Sequence, residues 1–344
     1  MRDPLLRIAI GPGPGPATAA VVAAAPDTVA EALDCAVALG PLKPFVGTGG
    51  AADAWEALAT LAAHDVALAR AVEPHLDALT ILDQAGVAPT AGSTWGVFAA
   101  EGPGVRLEAT ETGAGSWALT GTKPWCSLAG TLSHALVTAW VTESQRGLFA
   151  VDLRSPGVAV QPGWAARGLT EIPSGDVAFA KVPATAVGEP GWYLQRPGFA
   201  WGGMSVAACW FGAAVGVARP LLDAARLPGR RDDTILLMHL GRVDTRLAEA
   251  RTALAAAARL VDGPAESPAD VPPSVLAKRV RATVAAATEA AIAAVGHALG
   301  PTPLVQDAAH AKRVADLELY LRQHHAERDD VSLGRSVRDS GLEW

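Results

Sequence analysis

Residues 105–127 read VRLEATETGAGSWALTGTKPWCS, and this stretch decides the fold. Val105, Leu107 and Ala109 alternate with Arg106, Glu108 and Thr110. A period of two puts one set on a buried sheet face and the other in water. The Gly113–Gly115 turn reverses the chain, and Trp117–Leu119 begins a second strand that ends at Lys123-Pro124. Working outward, Leu136–Val141, Leu148–Leu153, Val158–Gln161 and Val177–Phe179 are further short apolar runs with turn residues between them. Six or seven strands between Val97 and Val182 predict a small sandwich or barrel.

The flanks have a different texture. Before Gly92, two helical stretches are expected, near residues 27–40 and 53–84. In the second, Leu58, Leu61, Leu68 and Val72 fall within about 80° of one another at helical periodicity. Asp65 shares that face, and a carboxylate there is expected to be hydrogen-bonded inside. After Pro190 the helical texture returns in four long segments, broken at Pro228-Gly229, between Gly263 and Pro273, and at Gly300-Pro301. Alanine-rich runs at 253–258 and 285–294 permit close helix approach, so an antiparallel four-helix bundle is predicted. The expected organisation is α+β and multi-domain: a helical region over 1–90, a β-domain over 91–186, and the bundle over 187–344.

Composition narrows the function. A net charge of −7 argues against a nucleic-acid partner. Cys35, Cys126 and Cys209 are widely spaced and in no CxxC pattern, which fits a reducing cytoplasm. The residues from Trp201 to Ala218 carry no charge and include Gly212-xxx-Gly216. Gly, Ala and Ser dilute that stretch, so a tightly packed core helix is expected rather than a membrane span. The GPGPGP run at 11–16 is no dinucleotide loop, since alternating prolines remove the N–H donors.

Helices, then a β-domain, then a four-helix bundle is the order found in the acyl-CoA dehydrogenase family. The stretch Leu119 to Ser127 resembles that family's Gly-x-Lys-x-Trp-x-Ser/Thr segment, which lies against the flavin. The resemblance implies that Trp125 packs on the ring system while Ser127 and nearby N–H groups, Cys126 included, bond its polar edge. Gly168 to Phe179 resembles the strand that closes the same domain, and Asp316 to Asp329 resembles the final bundle helix. By the same resemblance Glu101 stands in the family's Thr-Glu-Pro position, Arg230 in its Arg-x-x-Phe segment and Gly296 in its pyrophosphate loop. FAD, an acyl-CoA or similar substrate, and a homodimer or larger assembly are what this implies.

The departures concern chemistry. The family's base is a glutamate after the last helix's arginine-containing segment, or early in the first bundle helix. Here the first place holds His324 and the second reads Met204-Ser205-Val206-Ala207-Ala208, without a carboxylate. His324, with Glu327 beside it on one predicted helix, is the candidate replacement, because a neutral imidazole can accept a proton. His324 and His325 point about 100° apart on a helix, which is poor metal-ligand geometry, and no metal is expected. Three functions stay open at this point. One is a flavin-dependent oxidoreductase acting on an acyl thioester or related substrate with a non-standard base. The second is a non-catalytic half-site subunit of a hetero-oligomer, and the third is a reduced-flavin monooxygenase of the same fold.

Overall fold

The computed structural model describes residues 5–113, 115–196, 198–263 and 271–342. Four helices come first: α1 (Pro16–Ala24), α2 (Val29–Leu39), α3 (Ala51–His64) and α4 (Val66–Gln84). Thr28 caps α2, its hydroxyl accepting from the Glu31 N–H while the Glu31 carboxylate accepts from the Asp27 N–H. The single helix expected over 53–84 is two. Asp65 has extended backbone, ends α3, and caps α4 by accepting from the Ala67 N–H at 2.8 Å. Its other partner is Lys312 at 2.9 Å, so the carboxylate is satisfied, as expected.

The sheet follows: β1 (Trp95–Phe98), β2 (Leu107–Gly113), β3 (Ser116–Lys123), β4 (His134–Trp140), β5 (Arg146–Asp152), β6 (Val158–Val160) and β7 (Val177–Ala186). The order is β1-β4-β2-β3-β7-β5, and β5 also pairs with β4, so the path closes on itself as a small barrel. Leu107, Ala109 and Leu119 face its interior, as the alternation required. β3 runs antiparallel between β2 and β7, with Lys123 opposite Val177. The segment after β3 is thereby delivered to one end of the barrel.

The remaining helices are α5 (Trp192–Gln195), α6 (Phe199–Arg226), α7 (Thr234–Val261), α8 (Pro273–Leu299), α9 (Thr302–Gln306), α10 (Ala308–Tyr320) and α11 (Glu327–Asp339). α6, α7, α8 and α10 supply the bundle, while α11 packs on α8. The break expected between Gly263 and Pro273 lies largely outside the described residues. The charge-free stretch is the core of α6, and most of it is buried inside the protein. At Gly212 an added Cβ would sit 2.0 Å from the Ala59 carbonyl oxygen, so only glycine lets α6 touch α3. α8 is also long and apolar enough to span a membrane, but it packs between α6 and α7.

The three parts are tied by charge. Asp316 on α10 accepts from the Leu169 N–H of the β-domain at 2.5 Å and from Lys312 at 2.6 Å. Lys312 reaches Asp65 at the α3–α4 junction and Glu171 in the β-domain. These contacts fix the barrel end against α10 and the α3–α4 junction, and a cavity lined also by α6 and α8 opens beside them.

Candidate functional site

The cavity has a volume of about 1000 Å³. One wall is the turn after β3. Trp125 has φ of 60°, a left-handed conformation uncommon for a bulky residue. The turn holds it there: the Cys126 N–H donates to the Gly175 carbonyl and the Leu128 N–H to the Pro173 carbonyl. The indole therefore stands 59% exposed, toward the cavity. Ser127 lies beside it, 2.7 Å from the Ser174 hydroxyl. The backbone N–H groups of Trp125 and Ser127 donate to no described residue. An exposed aromatic face with a hydroxyl and two unpaired donors at its edge fits the ring and polar edge of a flavin.

The floor comes from α4. Arg70, Glu73 and Asp77 fall at i, i+3 and i+7, on one face. Arg70 Nη2 donates to the Ser127 hydroxyl at 2.9 Å, and its Nη1 lies 4.0 Å from Glu73. Asp77 is 3.7 Å from Arg196, a buried residue just after α5. From α8, Arg281 donates to the Gly203 and Gln323 carbonyls and lies over the Trp210 ring, 4.7 Å from its centroid. Burial pushes the Glu73 carboxyl up to about 7 and Asp77 adds to this, while Arg70 and Arg281 oppose it. Burial also raises Asp77, against the pull of Arg196.

The residues picked from the sequence separate here. Trp125, Ser127 and Glu101 line this cavity together. Glu101 is engaged by Lys123 at 2.7 Å, Arg146 at 3.1 Å and Trp140 at 3.2 Å. Cys126 is turned inward with its Sγ 3.2 Å from the Lys123 carbonyl, and burial pushes the thiol up to about 12; its contribution is structural. Arg230 pairs with Asp233 in the turn before α7, and Gly296 is exposed on α8. Neither lines the cavity of this chain.

His324, His325 and Glu327 do not share a helix. α10 ends at Tyr320, a short 3-10 turn follows, and Ala326 has φ of 47° before α11 begins. His324 packs edge-on against Trp210 at 6.2 Å, with a buried Nε2 that has no hydrogen-bond partner. Burial holds its pKa below the ordinary histidine value, Asp329 acting against this. His325 reaches the cavity rim, whereas Glu327 is exposed in the first turn of α11. The sequence reading missed Arg70, Glu73, Asp77, Arg196 and Arg281. Its available signal was three charges on one face of an alanine- and leucine-rich helix, which the core must either pair or place at a cavity.

No family model matches the chain, and no curated protein matches it. Solved structures do, over almost the whole length. KijD3, solved with FMN and dTDP-3-amino-2,3,6-trideoxy-4-keto-3-methyl-D-glucose, is 16% identical, with 100% of this chain and 98% of that chain covered and a TM-score of 0.75. TdsC from Paenibacillus sp. A11-2, a dibenzothiophene monooxygenase solved with FMN and indole, is 18% identical over 92% of this chain and 94% of that one, at a TM-score of 0.76. Butyryl-CoA dehydrogenase from Megasphaera elsdenii is 15% identical over 88% and 89%, at 0.74. The chain has the acyl-CoA dehydrogenase fold.

Proposed function

We propose that this chain is a flavin-dependent oxidoreductase whose substrate is a polar small molecule. The observation that carries this reading is the cavity itself, in which the Trp125–Ser127 turn faces a floor of Arg70, Glu73, Asp77 and Arg281. A fatty acyl chain seated there would strip water from charges without replacing it, at a cost of several kcal/mol. A substrate with hydrogen-bonding groups replaces that water. Within the class of acyl thioesters and related substrates, this favours one that presents hydrogen-bonding groups to the floor.

Trp125 would stack on the flavin ring, and Ser127 with the free N–H groups would hold its polar edge. When bound, the flavin supplies two-electron redox chemistry. The chain's own residues orient the substrate through Arg70 and Arg281, exclude water through Trp125 and Phe199, and offer carboxyl groups for proton movement. FAD and FMN both satisfy the ring site, and an assembly of at least two chains would complete the remainder of an FAD site. The reduced-flavin monooxygenase form stands beside dehydrogenation, because TdsC, a dibenzothiophene monooxygenase, and butyryl-CoA dehydrogenase share this fold at comparable TM-scores.

The test is reconstitution with FMN and with FAD separately, read by visible absorbance and by mass after denaturation. A bound flavin is then offered acyl-CoA under anaerobic conditions, and, as reduced flavin, labelled oxygen with amino sugars, indoles and thioethers. Label in a product supports the monooxygenase form, and bleaching by acyl-CoA supports the dehydrogenase form. A chain that binds neither flavin overturns the reading and returns to the partner-dependent subunit.

A further inference from the structure

Among the described residues, three carboxylates line the cavity: Glu73, Asp77 and Glu101. Glu101 is consumed by Lys123, Arg146 and Trp140. Asp77 leans on Arg196 at 3.7 Å. Asp77 also accepts no hydrogen bond from any described residue, yet its side chain is 20% exposed against 8% for that of Glu73. Glu73 is the deeper of the two. It is 6% exposed, it accepts no hydrogen bond from any described residue, and its nearest cation, Arg70 Nη1, is 4.0 Å away. A buried carboxylate left without a donor is costly, and a fold tolerates one where a ligand or a proton completes it.

Its surroundings indicate which. Arg70 touches Glu73 on one side and the Ser127 hydroxyl of the proposed flavin wall on the other. Glu73 therefore sits one side chain away from the redox centre, on the substrate side. The groups that face it are Arg70 and Asp77 on α4, Arg281 on α8, Cys209 on α6, Tyr193 on α5 and Tyr320 on α10. Burial keeps Cys209, Tyr193 and Tyr320 in their neutral forms, each being raised from its ordinary value. Within this set the Glu73 carboxyl is pushed up to about 7, and burial raises Asp77 as well.

We propose that Glu73 is the proton acceptor of the cavity. With a substrate beside it, the carboxylate takes the proton of an O–H, N–H or activated C–H bond, and the electron pair of that bond stays on the substrate. The carboxylic acid so formed returns the proton to product or water. This rests on the cavity being the substrate chamber of a flavin enzyme. It also moves the base from the last helix, where the sequence placed His324, to the fourth.

The experiment uses flavin-loaded wild type, E73Q and D77N. Infrared difference spectra are recorded from about pH 5 to about pH 9, the span over which a carboxyl near neutrality titrates. The expected result is a carboxylic-acid band that titrates near neutrality, survives in D77N and is lost in E73Q. A wild type without the band, or a band that persists in E73Q, overturns the assignment. The flavin absorbance of the same samples checks the underlying reading separately. Wild type that holds no flavin sinks that reading, whereas bound flavin without the band sinks only the role of Glu73.

Discussion

Arg70 and Ser127, 57 positions apart, are joined by a 2.9 Å hydrogen bond that ties α4 to the turn bearing Trp125. The Ser174 hydroxyl donates to the Ile172 carbonyl, so Ser127 accepts from Arg70, donates to Ser174 at 2.7 Å and keeps one lone pair for a ligand N–H. Removing the hydroxyl should therefore weaken flavin binding without unfolding the protein. S127A is expected to lose about five- to tenfold in flavin affinity, roughly 1–1.4 kcal/mol for one polar contact. S127T, which keeps the hydroxyl, should recover most of it. Fluorescence quenching of titrated flavin measures both, and an unchanged affinity in S127A would remove Ser127 from the site.

Glu73 makes stability depend on pH. Its carboxyl is raised from 4.5 to about 7, chiefly by burial. The neutral acid is the form the fold prefers, so this contribution is complete below about pH 4.5 and is lost as pH rises through 7. The shift corresponds to at most about 3 kcal/mol at about 1.4 kcal/mol per unit, less whatever water in the cavity recovers. E73Q, permanently neutral, should match wild type near pH 4.5 and exceed it by up to that amount at pH 8. Urea midpoints across this range provide the check, and parallel curves for the two proteins would contradict it.

His75, two residues on, works in the opposite direction. Its Nδ1 accepts from the Trp95 N–H at 3.1 Å, so the neutral ring carries its proton on Nε2, which is buried without a partner. Burial lowers its pKa to about 4. Stability from this group is present above about pH 6.5 and is lost as pH falls toward 4, again by up to about 3 kcal/mol. Wild type should thus show little net slope between about pH 4.5 and 6.5, where the two groups offset each other. H75N, whose amide oxygen can still accept from Trp95, should resist acid better, and its unfolding midpoint should move to lower pH. An unmoved midpoint would mean that other groups govern acid unfolding.

The architecture was largely legible because it rests on periodicities. Alternation at Val105–Thr110 gave β2, and the charge-free stretch from Trp201 gave the buried core of α6. The α3–α4 break was missed because Asp65 sits on the apolar face of a continuous pattern, and only its capping bond shows that the helix stops there. The charged floor was missed for a related reason. Arg70, Glu73 and Asp77 are an ordinary charged stripe until α5 and α8 bring Arg196 and Arg281 over them. Local sequence carries no trace of a juxtaposition that spans two hundred residues. His324 was chosen by its position in a family pattern, but α10 ends at Tyr320 and the chain that follows lays its ring against Trp210.

Glu101 shows how position and role can part. Its carboxylate lines the cavity, yet it is bonded to the Lys123 ammonium, which is almost fully buried and otherwise donates only to Thr138 at 2.8 Å. Burial lowers the Lys123 pKa and Glu101 opposes that fall. E101A would leave a buried cation short of its counter-charge. Breaking a fully buried pair costs about 3–5 kcal/mol. Water reaches Glu101, so roughly 2 kcal/mol is expected here. The deficit should shrink at high pH, because without Glu101 the Lys123 pKa falls further and the neutral amine no longer needs a partner. K123M in the E101A background should restore stability at neutral pH. A residue whose work was to hold the flavin would behave otherwise: E101A would then cost flavin affinity at an unchanged Tm, and K123M would rescue nothing. Thermal melts and flavin titrations on the same three proteins separate the two roles.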